Sequence, residues 1–179
     1  MLIDWKVIAA QVGDLNSDGS ELGSGTESGI RALELIVGEE NIRGAVDLWT
    51  SFEPGYETAE KTLLVMQSSV AMEYCYEIYK NEPKTQRAER AIFLLSEMAN
   101  WHFVRWAREF MEDTNPGIRW NATVALEQVL EGPLDDEGVA LAKELLAKAE
   151  EDSDPRLRER AQVIYRRLAS NPRLKHLDL

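Results

Sequence analysis

Asp14, Asn16 and Asp18 place oxygen-bearing side chains at alternate positions just ahead of Gly19 and Ser20. A calcium-binding loop sets hard oxygen ligands with that spacing, at positions 1, 3 and 5 before a glycine turn at position 6. The second half of such a loop is missing. Position 12, which supplies a bidentate carboxylate, is Gly25, the nearest acid beyond it is Glu27, and position 8, commonly aliphatic, is Glu21. The metal-ligand set is therefore Asp14, Asn16 and Asp18 alone, with calcium affinity expected at the weak, roughly millimolar end for such loops. The competing account is a solvated loop rich in Asp, Asn and Ser.

Gly23-Ser24-Gly25-Thr26-Glu27-Ser28-Gly29 looks like a phosphate cradle opening a helix. Its third glycine falls one position late, no lysine follows, and Glu21 and Glu27 repel phosphate. It reads as a loop. His102 and His176 are the only histidines, and neither stands in a His-Glu-x-x-His pattern. Cys75, the sole cysteine, lies among Tyr74, Tyr76, Ile78 and Tyr79 on a predicted helix, the setting of a buried, inert thiol. The pairs Glu39-Glu40 and Asp135-Asp136 fall at helix starts, where the helix dipole accounts for them. No nucleophile has a base beside it, so no catalytic residue is assigned and the chain is not expected to be an enzyme.

The elements that would carry these residues follow from hydrophobic spacing. Trp5, Ile8, Ala9 and Val12 fall at i, i+3, i+4 and i+7 and predict a capping helix within residues 1–12. Residues 13–29 hold five glycines among Ser, Asp, Asn and Glu and predict a long loop. From Ile30 onward helical stripes follow one another to about residue 170: Ile42, Ala45, Val46 and Trp49; Ala59, Leu63 and Met66; Val70, Tyr74 and Ile78; Ala88, Ile92, Leu95 and Ala99; an aromatic helix from Trp101 to Met111; and Val139, Ala142, Leu146 and Ala149. Gly38, Pro54-Gly55 and Pro83 punctuate them, and residues 171–179 form a tail. No alternating strand pattern occurs, so the chain is predicted all-α, in one domain spanning 1–179.

Two stretches repeat each other at a spacing of 39 residues: Asn115-Pro116-Gly117-Ile118-Arg119-Trp120-Asn121-Ala122 and Asp154-Pro155-Arg156-Leu157-Arg158-Glu159-Arg160-Ala161. Each starts with a short polar side chain able to cap free backbone N–H groups and a proline at the first helical position. The stripe Ile118, Ala122, Ala125 and Val129 recurs as Leu157, Ala161, Ile164 and Leu168, and Arg119 maps onto Arg158. This period, with its Asn/Asp-Pro start, early arginine and small residue three positions later, resembles the HEAT-repeat family. The resemblance implies a right-handed α-solenoid of about four to five helical hairpins, whose activity would be binding through a stacked surface.

Charge indicates the partner. The net charge is -12, and residues 1–60 carry three basic residues against twelve acidic ones. Such a surface repels phosphate backbones and anionic lipid and speeds encounter with basic proteins, so the expected partner is a basic protein, with no nucleic acid and no membrane. Asp14, Asp18, Glu21, Glu27, Glu39 and Glu40 are the candidate partner-binding residues. The concrete expectation is an acidic inhibitor, immunity-type or scaffold protein. The alternatives are a calcium-responsive adaptor and a HEAT-like nucleic-acid-processing enzyme, the last opposed by the charge. A single cysteine allows no internal disulfide, and the opening Met-Leu-Ile-Asp-Trp-Lys lacks a signal-peptide apolar region, so a cytoplasmic location is expected.

Overall fold

The structure is a computed structural model that describes residues 3–18, 20, 22, 26–132 and 135–170. Among them are ten α-helices, one 3-10 turn and no strand. The helices are α1 (Trp5–Gln11), α2 (Thr26–Val37), α3 (Glu39–Ser51), α4 (Tyr56–Met66), α5 (Ser69–Asn81), α6 (Gln86–Glu97), α7 (Val104–Met111), α8 (Pro116–Leu130), α9 (Asp136–Glu150) and α10 (Pro155–Ser170). The chain divides into two compact units, Met1–Tyr74 and Cys75–Leu179, and the division falls within α5.

In the first unit, the Asp4 carboxylate starts α1 by accepting from Lys6 N and Val7 N at 3.1 and 3.3 Å. The predicted stripe is only partly covered: Ile8, Ala9 and Val12 are half-buried, Trp5 is 61% exposed, and neither α1 nor α2 contains a fully buried residue. α2 begins at Thr26, within the stretch expected as loop. Glu27 sits in its first turn, where the dipole favours an acid, and pairs with Arg31 one turn on at 3.0 Å, so Ser28 and Gly29 continue a helix. Gly38 alone links α2 to α3, at φ +83°, a backbone region that favours glycine. Asn41 Nδ2 donates to Val37 O at 2.7 Å and closes the last turn of α2. The core of this unit lies where α3 meets α4, with Ile42, Val46 and Trp49 buried on one helix and Ala59, Leu63 and Met66 on the other.

In the second unit the two registered helices keep their register. Ile118, Ala122, Ala125 and Val129 of α8, and Leu157, Ala161, Ile164 and Leu168 of α10, are all buried. The Asn115 side chain accepts from Gly117 N at 2.9 Å and Asp154 accepts from Arg156 N at 2.9 Å, so both caps work as their residue types predict. The aromatic helix expected from Trp101 is instead a 3-10 turn, Trp101–Phe103, leading into α7. Asn100 caps that turn by accepting from His102 N at 2.9 Å. The tighter turn separates two rings that one α-helical face cannot share, burying Phe103 completely and leaving Trp101 exposed.

The repeat also extends into its polar contacts. Arg119 Nη1 donates to the carbonyls of Asp113 and Thr114, and Arg158 Nη1 donates to those of Asp152 and Ser153, the same offsets back along the chain. Asp113 accepts from Asn115 N at 2.7 Å and Asp152 from Asp154 N at 2.8 Å. Arg119 then reaches forward to Asp152 in a fork, Nε to Oδ2 at 2.7 Å and Nη2 to Oδ1 at 2.8 Å. These bonds from Arg119 hold the Asp152 carboxyl below its usual range against the opposing effect of burial.

Candidate interaction surface

Of the six acids read as partner-binding, Glu21 lies outside the described residues, and the other five stand in the first unit. Glu39 and Glu40 occupy the first turn of α3, placed there by the single-residue link at Gly38, and both are exposed. Their neighbours decide how much charge they offer. Glu39 accepts from Arg43 Nε at 2.9 Å and Glu27 from Arg31, so each is half neutralised within its own helix. Glu40 has no ion-pair partner among the described residues, and neither do Glu53 and Glu60, acids outside the original six.

The loop after α1 turns its polar groups on itself. Asn16 N donates to Ser20 O at 2.8 Å and Leu22 N to Asp14 O at 2.9 Å. The Asp18 carboxylate accepts from both Ser20 N (2.9 Å) and Ser20 Oγ (2.6 Å), and these bonds lower its pKa. Asn16 Nδ2 donates to Ser20 Oγ at 3.0 Å. Asp14, Asn16 and Asp18 therefore lie on one loop, and among the described residues no group of three His, Cys, Asp or Glu side chains is placed to hold a metal ion.

One acid not singled out by sequence has a fixed task. Glu34, on α2, accepts from Ser68 Oγ at 2.6 Å, Ser69 Oγ at 3.2 Å and Val70 N at 3.3 Å, capping the start of α5 from another helix. It lies in a cleft of about 440 Å³ whose walls include Gln11 at the end of α1, Val12 just after it, Arg31 and Leu35 of α2, Glu39 of α3, and Ser69 and Val70 of α5.

The second unit holds a more polar cleft, of about 550 Å³, bordered by Tyr79, Arg108, Glu109, Glu112 and Asp113. Arg105, which also lines it, turns to His102, and the other charged groups are bound to α5 or to α9. Tyr79 Oη donates to Asp113 at 2.6 Å, Tyr76 Oη and Lys80 Nζ both donate to Glu109 at 2.7 Å, Arg108 forks onto Glu144 at 2.9 and 3.0 Å, and Lys148 meets Glu112 at 3.2 Å. Burial and the Asp113 carboxylate push the Tyr79 phenol well above its usual range. Burial works to raise Glu109, but the bonds from Lys80 and Tyr76 outweigh it and leave the carboxyl below its usual range. Glu127, likewise unforeseen, is buried and accepts from Arg160 at 2.5 Å and Arg167 at 2.9 Å. These pairs join helices and leave little charge for a ligand.

Cys75 is buried, His102 Nδ1 lies 2.9 Å from Arg105 Nη2, and His176 is outside the described residues. No helix among the described residues is long and apolar enough to cross a membrane. No family model matches the chain, and no curated protein or solved structure matches it.

Proposed function

We propose that this chain is a protein-interaction module of the HEAT-like solenoid type that engages a basic protein through its acidic first unit. The observation that carries the reading is where unneutralised charge is left. Residues 1–74 contain thirteen acidic and four basic residues, whereas residues 75–179 contain nineteen and sixteen, many of them joined in ion pairs between helices. Glu40, Glu53 and Glu60 add charge held in no ion pair among the described residues, and a surface of that sign speeds encounter with a cationic protein. The solenoid reading is supported by the matching buried stripes of α8 and α10 and by the equivalent carbonyl contacts of Arg119 and Arg158. An inhibitor or immunity-type protein that covers a cationic domain is the concrete form, and a scaffold is the broader one.

The test is association kinetics. With a partner captured on the full chain and then purified, the on-rate should fall steeply from low to physiological salt. Reversing Glu40, Glu53 and Glu60 to lysine should slow it by about ten-fold at low salt, within the range steering supplies. Reversing Glu137, Glu150 and Glu151 in the second unit should have a smaller effect. Equal effects from the two triple variants, or an on-rate indifferent to salt, would refute the assignment to the first unit.

A further inference from the structure

The acidic first unit also exposes apolar side chains. α1 and α2 are amphipathic, yet neither contains a fully buried residue, and Trp5, Val7, Leu33 and Leu35 are all exposed. Surface of this kind, framed by charge, is the form that binding sites take on soluble domains. Leu35, 48% exposed, also borders the cleft described above, where it joins Val12 and Val70 as apolar wall. Of the two carboxylates that line it, Glu34 is held by two serine hydroxyls and a backbone N–H, and the lining Arg31 is paired with Glu27, so neither calls for a charged occupant. Cations are called for at the edge, where Glu39 lines the cleft and shares its charge with Arg43, and Glu40, with no ion-pair partner among the described residues, follows it on the same first turn of α3.

We propose that the cleft between α1, α2 and the starts of α3 and α5 receives the apolar face of a basic amphipathic helix from the partner, with leucine-sized side chains against Val12, Leu35 and Val70 and lysine or arginine reaching Glu39 and Glu40. The proposal rests on the basic-partner reading and adds a location and a shape to it. Charge selects a cationic occupant. The apolar wall requires that cations and apolar side chains lie on different faces of one element, which a helix provides at its 3.6-residue period. Addition of a strand has no template, because no sheet edge exists among the described residues.

The probe is a labelled, end-capped synthetic helix of leucine and lysine with leucines at i, i+3, i+4 and i+7, titrated against the full chain at physiological salt and followed by fluorescence anisotropy. Leu35→Ser and Val12→Ser should each weaken binding by about ten-fold, the scale of a lost apolar anchor. Leu33→Ser, exposed on the same helix but outside the cleft walls, should stay within about two-fold of the parent. Lys substitution at both Glu39 and Glu40 should weaken it as well, and a peptide with leucines replaced by serine should not bind. Far-ultraviolet circular dichroism of each variant checks that the fold persists. If Leu35→Ser and Leu33→Ser behave alike, or the peptide does not bind, the cleft is not the site. If the charge variant alone loses binding, the cleft is overturned and the basic-partner reading survives. If Leu35→Ser loses binding while charge reversal does nothing, the basic occupant is wrong and the wider reading falls with it.

Discussion

Removing one side of the Arg119–Asp152 fork should destabilise the second unit far more than removing the equivalent arginine of the next repeat. The two side chains are only 13% and 11% exposed, and three bonds meet on the Asp152 carboxylate. Asp152→Ala would leave a guanidinium edge facing no acceptor, and breaking a buried pair in this way costs about 3–5 kcal/mol. Residual solvent contact at both groups places this pair at about 3 kcal/mol. Arg119→Met should cost nearly as much, about 2–3 kcal/mol, since it also frees the carbonyls of Asp113 and Thr114. Arg158 makes the same two carbonyl bonds but has no carboxylate fork among the described residues, so Arg158→Met should cost about 1 kcal/mol. For a chain of this length each kcal/mol moves the midpoint by about 2–4 °C, giving drops of about 6–12 °C for Asp152→Ala and about 2–4 °C for Arg158→Met. Thermal melts followed by far-ultraviolet circular dichroism measure both. The double variant Arg119→Met with Asp152→Ala should fall short of the sum of the singles by about 1–3 kcal/mol. Equal losses for Arg119→Met and Arg158→Met, or strict additivity, would refute the reasoning.

Ala122→Asp and Ala161→Asp each put a carboxylate at a fully buried position of the repeated stripe, and each should lower stability by several kcal/mol or abolish folding; a melt like that of the parent would show the register to be wrong. Alkali should unfold the second unit together with tyrosine ionisation. The carboxylate of Glu109 raises the Tyr76 phenol, and burial followed by Asp113 raises that of Tyr79, so their contribution is intact below the ordinary phenol value near 10 and is lost as pH climbs from there through the folded values. Tyrosinate absorbance from these two should rise with, and not before, the loss of helical signal, and a complete tyrosine titration near pH 10 with the helices intact would contradict it.

Short-range signals carried most of what the sequence made legible. Asn115, Asp154 and Asp135 cap the helices they precede, because a cap is decided within three residues. The stripes of α8 and α10 are buried as their period requires. Long-range polar pairing was hidden. Glu34 reads locally as a solvated helix acid, and only the fold brings it to the start of α5, more than thirty residues on. Glu127 and the phenols of Tyr76 and Tyr79 were illegible for the same reason. One part of the network did leave a trace. The repeat extends back to Asp113-Thr114 and Asp152-Ser153, and a conserved spacing of six residues between acid and arginine was there to be read in both copies.

The same distinction changes which acids matter for binding. Counting carboxylates along the chain selects the early ones, but the field a partner meets depends on which of them lack a cation nearby. Glu27 and Glu39 are answered by arginines four residues on, so their contribution is reduced before any partner arrives, whereas the bonds from Ser20 hold Asp18 in its charged form. Glu40 keeps its full weight. Glu53 and Glu60 gain weight that their distance from the loop had concealed, because the turn from α3 into α4 contains no basic residue and Lys61 is the first cation after Arg43. The acidic character of the first unit therefore extends from the glycine-rich loop through α3 and α4. For a binding element drawn by that charge, the apolar wall beside the first turn of α3 is what can hold it there.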